Sequence, residues 1–395
     1  MAGEPSSERR ARLLRVMAGE KLEALVCRLP ENVLLLTGYW PMCGWAYAVL
    51  SADGDAACIV PDTEEQEARD ELSDARLVTY AYGTKEPVDQ LLEIRRALQW
   101  TRAHKHWRRI GIEESFETAA PAWNAAESSL QARPSRRMLD EAFGSETLVD
   151  VTDVLDAEKA VKTGAEMAKV ERASRIACFG MKEFRARVDA GVTGVELASA
   201  VESAIMVQGT GFEGARRVRA FAQVATGPLE TFQAWRPAEI TTTRRLEKGD
   251  LALLELAVVA DGYWCDRTRA GVAGGASPHQ REINEIVRQA QEAAFKAVRP
   301  GASGREVDEA ARSAIRESGL DNAFVHITGH GLGYRYHEVM PFLAPWSKHT
   351  LTEGMIHSVE PGVYVSGFGG IRIEDDVLVT GQGARVLGPF PADLD

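Results

Sequence analysis

The chain has 395 residues, 45% hydrophobic and 26% charged, with a formal net charge of −12. That length exceeds what one apolar core usually supports and predicts two domains. The acidic balance argues against nucleic acid or an anionic membrane as partner, and no apolar run approaches the roughly 18 residues that cross a bilayer. The N-terminal stretch MAGEPSSERRARLLRVM lacks the apolar core of a signal peptide and reads as a polar lead into a helix. Cys27, Cys43, Cys58, Cys178 and Cys265 show no CxxC spacing and sit in apolar surroundings, which predicts buried thiols in a cytoplasmic protein.

The first 150 residues alternate helix and strand signals and predict an α/β domain over 1–150. Helical Ser7 to Gly19 leads into the apolar run Leu22 to Cys27, then Asn32 to Gly38 and Gly44 to Leu50. Asp53-Gly54 is a hairpin signal, with Ala56 to Val60 as the return strand. A second α/β stretch ends near Gly111. Residues 139–157 mix acidic and turn residues with a short apolar strand and suit an interdomain connection. A second domain follows over 157–395, opening on the long amphipathic helix AVKTGAEMAKVERASRIACFGMKEFRARV.

Within it, AGVTGVELASAVESAI (190–205) and PGASGREVDEAARSAI (300–315) match at seven positions at a constant offset of 110. Each carries a capping box, Thr193-x-x-Glu196 and Ser303-x-x-Glu306, whose side chains satisfy the first free amides of a helix. Two capped amphipathic helices can look alike by chance. The stronger reading is a duplicated half whose two copies face each other across a cleft.

Chemistry concentrates after residue 249. In GDLALLELAVVADGYWCDRTR, Glu255 sits inside an apolar strand (Leu251 to Val259), Asp261-Gly262 makes a turn, and Asp266 follows 11 residues after Glu255. A hairpin brings the two carboxylates side by side. Burying one in such a strand is costly unless it is paired or bound to a cation; the bland alternative is an exposed edge-strand glutamate. His326, His330 and His337, three of the chain's eight histidines, fall within 12 residues among glycines in HITGHGLGYRYHE. Glycine lets backbone approach closely, and neutral imidazole is a common metal ligand. Two further strands are predicted, MIHSVEPGVYV with Glu360 and GGIRIEDDVLV with Glu374. Alternation places Arg372 and Glu374 on one face, opposite Ile371 and Ile373. Four carboxylates and one imidazole suit Mn²⁺, Co²⁺, Fe²⁺ or Zn²⁺, as one ion or as two sharing an activated water.

The ordered set Gly249-Asp250…Asp266-Arg267-Thr268-Arg269, Gly329-His330-Gly331…His337-Glu338, Glu360-Pro361-Gly362 and Arg372-Ile373-Glu374-Asp375 resembles the signature of the pita-bread metallopeptidases: aminopeptidase P, prolidase, methionine aminopeptidase and creatinase. Ala160-Val161-Lys162-Thr163 and Glu31-Asn32-Val33…Leu36-Thr37-Gly38-Tyr39 look like the aminopeptidase P, prolidase and creatinase branch, so the resemblance covers nearly the whole chain. It implies an α/β N-terminal creatinase-like domain and an α+β C-terminal pita-bread domain with pseudo-twofold halves. It also implies a divalent metal, Mn²⁺ first, on Glu255, Asp266, His330, Glu360 and Glu374. Glu360 would take the proton of the attacking water, His326 and His337 would position substrate and stabilise the oxyanion, and Arg372 would support the site. In related dimers the N-terminal domain closes the partner's active site, which makes Tyr39, Trp40 and Trp45 candidates to line it in a homodimer.

Two departures stand out. The family's metallopeptidases carry aspartate where this chain has Glu255. They also carry a histidine in a GPN…H segment, whereas GPLETFQAWRPAEITTTRRLEKGD has Ala234 or Trp235 there, and no histidine lies between His106 and His279. Losing that imidazole weakens protonation of a leaving amine, and Trp235 instead shapes the pocket. The resemblance therefore implies a metal-dependent hydrolase like an Xaa-Pro dipeptidase or aminopeptidase, acting on a small peptide. The alternative is a repurposed relative acting on a small molecule, as creatinase or ectoine hydrolase does, or a lyase. A non-catalytic binding module fits poorly, because the GHG, EPG and RIED motifs are retained.

Overall fold

A computed structural model of the chain describes residues 5–42, 45–82, 88–102, 105–114, 133–236 and 240–394. They fall into two compact units, one ending at Lys159 and one running from Ala160. No helix among the described residues is long and apolar enough to cross a membrane.

In the first unit, β1 (Ala24–Cys27), β2 (Tyr47–Ser51), β3 (Ala56–Pro61), β4 (Arg76–Tyr80), β5 (Ile110–Ile112) and β6 (Leu148–Asp150) form one sheet in the order β4-β3-β2-β1-β5-β6. The Asp53-Gly54 turn joins β2 to β3, with Tyr47 opposite Ile59. Asn32 to Gly38 is helical: Pro30–Thr37 starts on a proline that fits the first turn and stops at Gly38, whose φ of 78° needs no Cβ. Cys27 and Cys58 are buried thiols. Cys43 and Gly44 lie outside the described residues.

The second unit is built on alternation along one strand. β7 (Val218–Thr226), β8 (Leu251–Ala260) and β9 (Tyr263–Val272) form an antiparallel sheet with β8 in the middle. The even-numbered Ala252, Leu254, Leu256 and Val258 pack with Ile176, Ala177, Leu197 and Val201 of the helices Gly164–Arg187 and Gly194–Gly209. Period-2 geometry then turns the odd-numbered residues, Glu255 among them, to the other face. Asp261 and Gly262, at φ 52° and 86°, make the two-residue turn whose twist matches the flanking strands. That turn fixes the register: Glu255 lies opposite Thr268, and Ala257 opposite Asp266. Glu255, Asp266 and Thr268 therefore share one face.

Seven short strands complete the unit: β10 (Gly329–Gly331), β11 (Glu338–Leu343), β12 (Ile356–Val359), β13 (Gly362–Val365), β14 (Gly369–Arg372), β15 (Asp375–Thr380) and β16 (Gly383–Val386). One sheet runs β11-β10-β12-β15-β16, and β13 pairs with β14 alone. The two strands predicted over 355–365 and 369–379 are each broken at their carboxylate. Pro361 has no amide to continue a ladder. Opposite it, the N–H groups of Ile373 and Glu374 turn to Pro361 O and Thr268 O. The hairpin thus passes from one sheet to another with Glu360 and Glu374 at the crossing, and Glu374 bridges back to Thr268 of β9.

The 110-residue repeat has a physical counterpart. Thr193 and Ser303 each cap a helix through a reciprocal box with Glu196 and Glu306. The buried stripe Leu197, Val201, Ile205 of one helix recurs as Val307, Ala311, Ile315 of the other, Gly304–Glu317, at the same offset. The stripes enter separate apolar clusters, one under β8 and one under β12 to β15, as two pseudo-twofold halves of an α+β unit require.

Candidate metal centre

His330 occupies the middle of β10, where glycine on either side is a steric requirement. A Cβ on Gly329 would collide with Ser358 O, and one on Gly331 with Met340 O. The imidazole is 4% exposed, and its Nδ1 donates to Gly331 O at 3.0 Å, which leaves Nε2 as the ligating nitrogen. Nε2 lies 3.4 Å from both Asp266 Oδ2 and Glu360 Oε1. Two groups of donor atoms, each mutually within 4.8 Å, meet here: Asp266, His330 and His337, and His330, Glu360 and Glu374.

These acids are held by their own partners. Glu374 Oε2 accepts from Thr268 Oγ1 at 2.6 Å, and that hydroxyl in turn accepts from Arg372 Nε at 3.0 Å. Ser358 Oγ accepts from the His330 amide and donates to Glu360 Oε1, each at 3.1 Å. Burial and the charges of Glu255 and Glu360 push Asp266 well above the usual carboxylate range. Burial with Asp266 and Glu360 does the same to Glu374, and burial raises Glu360. Asp266 Oδ1 and Glu374 Oε1 are buried with no hydrogen-bond partner among the described residues. Crowded, desolvated carboxylates with orphaned oxygens beside a lone imidazole nitrogen fit a divalent cation, which compensates both repulsion and lost solvation.

The remaining candidates are placed differently. Glu255 belongs to neither donor group. Its Oε1 accepts from Tyr336 Oη at 2.6 Å and its Oε2 from Arg372 Nη2 at 2.8 Å. Burial opposes its ionisation, but Arg372 and Tyr336 hold it below the usual carboxylate range. Arg372 donates also to Tyr364 Oη and Ala234 O at 2.8 and 3.2 Å. His326 donates from Nδ1 to Ile327 O and faces Tyr364 Oη with Nε2 at 3.1 Å; burial, with the charge of Arg372, lowers it to about 3 and keeps it neutral. Trp235 is 39% exposed just beyond the helix Gly227–Gln233, with the Arg236 guanidinium over its ring. In the first unit Tyr39 is buried with its hydroxyl on Glu64, Trp40 is half-buried, and Trp45 is exposed.

Thr268, Tyr336, Ser358 and Tyr364 are the functional neighbours that sequence reasoning missed. Thr268 lies two residues from Asp266 on β9, and Ser358 two residues before Glu360 in the strand predicted over 355–365, so period-2 alternation could have found them. Nothing local pairs Tyr336 with Glu255.

A buried carboxylate and imidazole cluster where strands of two sheets meet in a pita-bread unit defines a metallohydrolase. Residues 168–381 match Metallopeptidase family M24, and residues 9–161 match the Creatinase/Prolidase N-terminal domain. The chain belongs to metallopeptidase family M24. It is 29% identical to the Xaa-Pro dipeptidase of Pyrococcus furiosus over 98% of this chain and 99% of that one. It is 33% identical to the Xaa-Pro dipeptidase of Lactobacillus helveticus over 62% of this chain and 64% of that one. The crystal structure of the prolidase from Pyrococcus horikoshii OT3 matches with a TM-score of 0.78 at 26% identity, covering 98% of this chain and all of that one.

Proposed function

We propose that the chain is an Xaa-Pro dipeptidase whose divalent cation, Mn²⁺ first, is held by Asp266, His330, Glu360 and Glu374. The observation that carries this is the convergence of those four side chains around His330 Nε2 with two carboxylate oxygens left unpartnered. A donor set rich in oxygen with one imidazole suits Mn²⁺. End-to-end likeness to the Xaa-Pro dipeptidase of Pyrococcus furiosus supports the peptidase over a repurposed small-molecule hydrolase. The acidic composition, free thiols and creatinase-like N-terminal domain support a cytoplasmic homodimer.

A bound divalent cation would lower the pKa of a ligated water and polarise the peptide carbonyl. Glu360 takes the water proton at Oε2, since Ser358 holds Oε1 and fixes the carboxyl. His337, with a ring nitrogen within 4.8 Å of donors on Asp266 and His330, supplies the hydrogen bond to the oxyanion. His326 acts through Tyr364, keeping its hydroxyl beside Arg372.

The test is a panel of Xaa-Pro and Xaa-Ala dipeptides with chelator-stripped and Mn²⁺-reloaded protein. The reading expects turnover of Xaa-Pro only, abolished by chelation, restored by Mn²⁺ and absent in His330→Ala. A metal-loaded enzyme inert toward every Xaa-Pro peptide would overturn it.

A further inference from the structure

Glu255 shares a sheet face with Asp266, yet both of its oxygens are engaged by protein donors. Asp266 and Glu374 each retain one buried oxygen without a partner. The orphaned oxygens are what the fold leaves for a cation, and Glu255 has none.

The two donors on Glu255 are themselves fixed. Tyr336 is 1% exposed, with ring centroids of Trp264 and His337 at 6.3 and 4.1 Å. Arg372 is buried, and three more of its donors go to Thr268, Tyr364 and Ala234. If Glu255 turned toward a metal, a buried phenol and a buried guanidinium would each lose an acceptor, the costly half of breaking such a bond.

His330 limits the ion count from the other side. With Nδ1–H on Gly331 O, Nε2 offers a single lone pair, and both donor groups include this imidazole. One lone pair ligates one cation, so this imidazole serves one ion only. A second ion would call on a further carboxylate beside this cluster, and the one that shares the sheet face of Asp266 is Glu255.

We propose that this centre holds one tight divalent cation per chain, through Asp266, His330, Glu360 and Glu374. Glu255 is a positioning residue that fixes Tyr336 and Arg372 and does not ligate. The inference rests on the metal-dependent reading above.

The test is calorimetric titration of chelator-stripped, full-length protein with Mn²⁺, with retained metal counted by elemental analysis after desalting. One ion per chain is expected in the wild type. Glu255→Gln, whose amide oxygen still accepts a hydrogen bond, should keep that ion with Kd within about threefold, whereas His330→Ala should weaken it by about 100-fold or more. Tyr336→Phe frees Glu255 Oε1 and should add a second Mn²⁺ site that the wild type lacks, about tenfold or more weaker than the first; this variant also covers the case in which Glu255→Gln does not fold. Two comparably tight ions in the wild type, loss of the ion in Glu255→Gln, or still a single site in Tyr336→Phe overturns the proposal and leaves the hydrolase reading standing. A wild type that binds no Mn²⁺ overturns both.

Discussion

Thr268→Val removes one hydroxyl and keeps the shape of the side chain, so it isolates a link between a ligand and its support. Thr268 Oγ1 donates to Glu374 Oε2 at 2.6 Å and accepts from Arg372 Nε at 3.0 Å, and all three residues are buried. Both bonds involve a charged partner, the class worth about 1.5–3 kcal/mol each. In the variant Glu374 loses the donor that orients it, while Arg372 keeps its other acceptors. One such bond lost from the metal-competent geometry, at 1.36 kcal/mol per tenfold, weakens cation binding by about 10–100-fold. The assay is competitive Mn²⁺ titration against a fluorescent chelator, with Thr268→Ser as control. Serine keeps the hydroxyl and should stay within about threefold of wild type. Thr268→Val binding as tightly as wild type would show that Glu374 needs no orientation from β9, and the account of the site would fail there.

Two further outcomes follow from the same contacts. Gly331→Ala places a Cβ against the Met340 carbonyl, which is backbone and cannot swing aside, so it should destabilise by about 3 kcal/mol or more; a thermal melt within 2 °C or so of wild type would contradict the close approach. Glu196 is held below the usual carboxylate range by hydrogen bonds from the Thr193 amide and hydroxyl. A lowered native pKa contributes stability above the unfolded value and loses it as pH falls through the native one. Glu196→Gln should therefore melt below wild type at about pH 7 and converge with it toward about pH 3; a gap that persists at low pH would mean the carboxylate charge is not the cause.

Much of this molecule was legible in the chain because its information is local. Asp261-Gly262 sets a two-residue turn, the turn sets the register, and the register puts Glu255, Thr268 and Asp266 on one face. The capping boxes at Thr193 and Ser303 and the glycines beside His330 are likewise signals read within a few residues. Alternation along 371–374 correctly separated Arg372 from Ile371 and Ile373, both of which enter the core.

Tertiary structure decided the rest, and the reason is sequence distance. Where the strand predicted over 369–379 breaks depends on Thr268 capturing the Glu374 amide, 106 residues away. The hydroxyl on Glu255 belongs to Tyr336, 81 residues on, and the guanidinium to Arg372, 117 residues on. A sequence pattern reports which residue types can ligate, because that is a property of the side chain. Which carboxylate keeps a free oxygen depends on every donor folded against it, and those arrive from other strands.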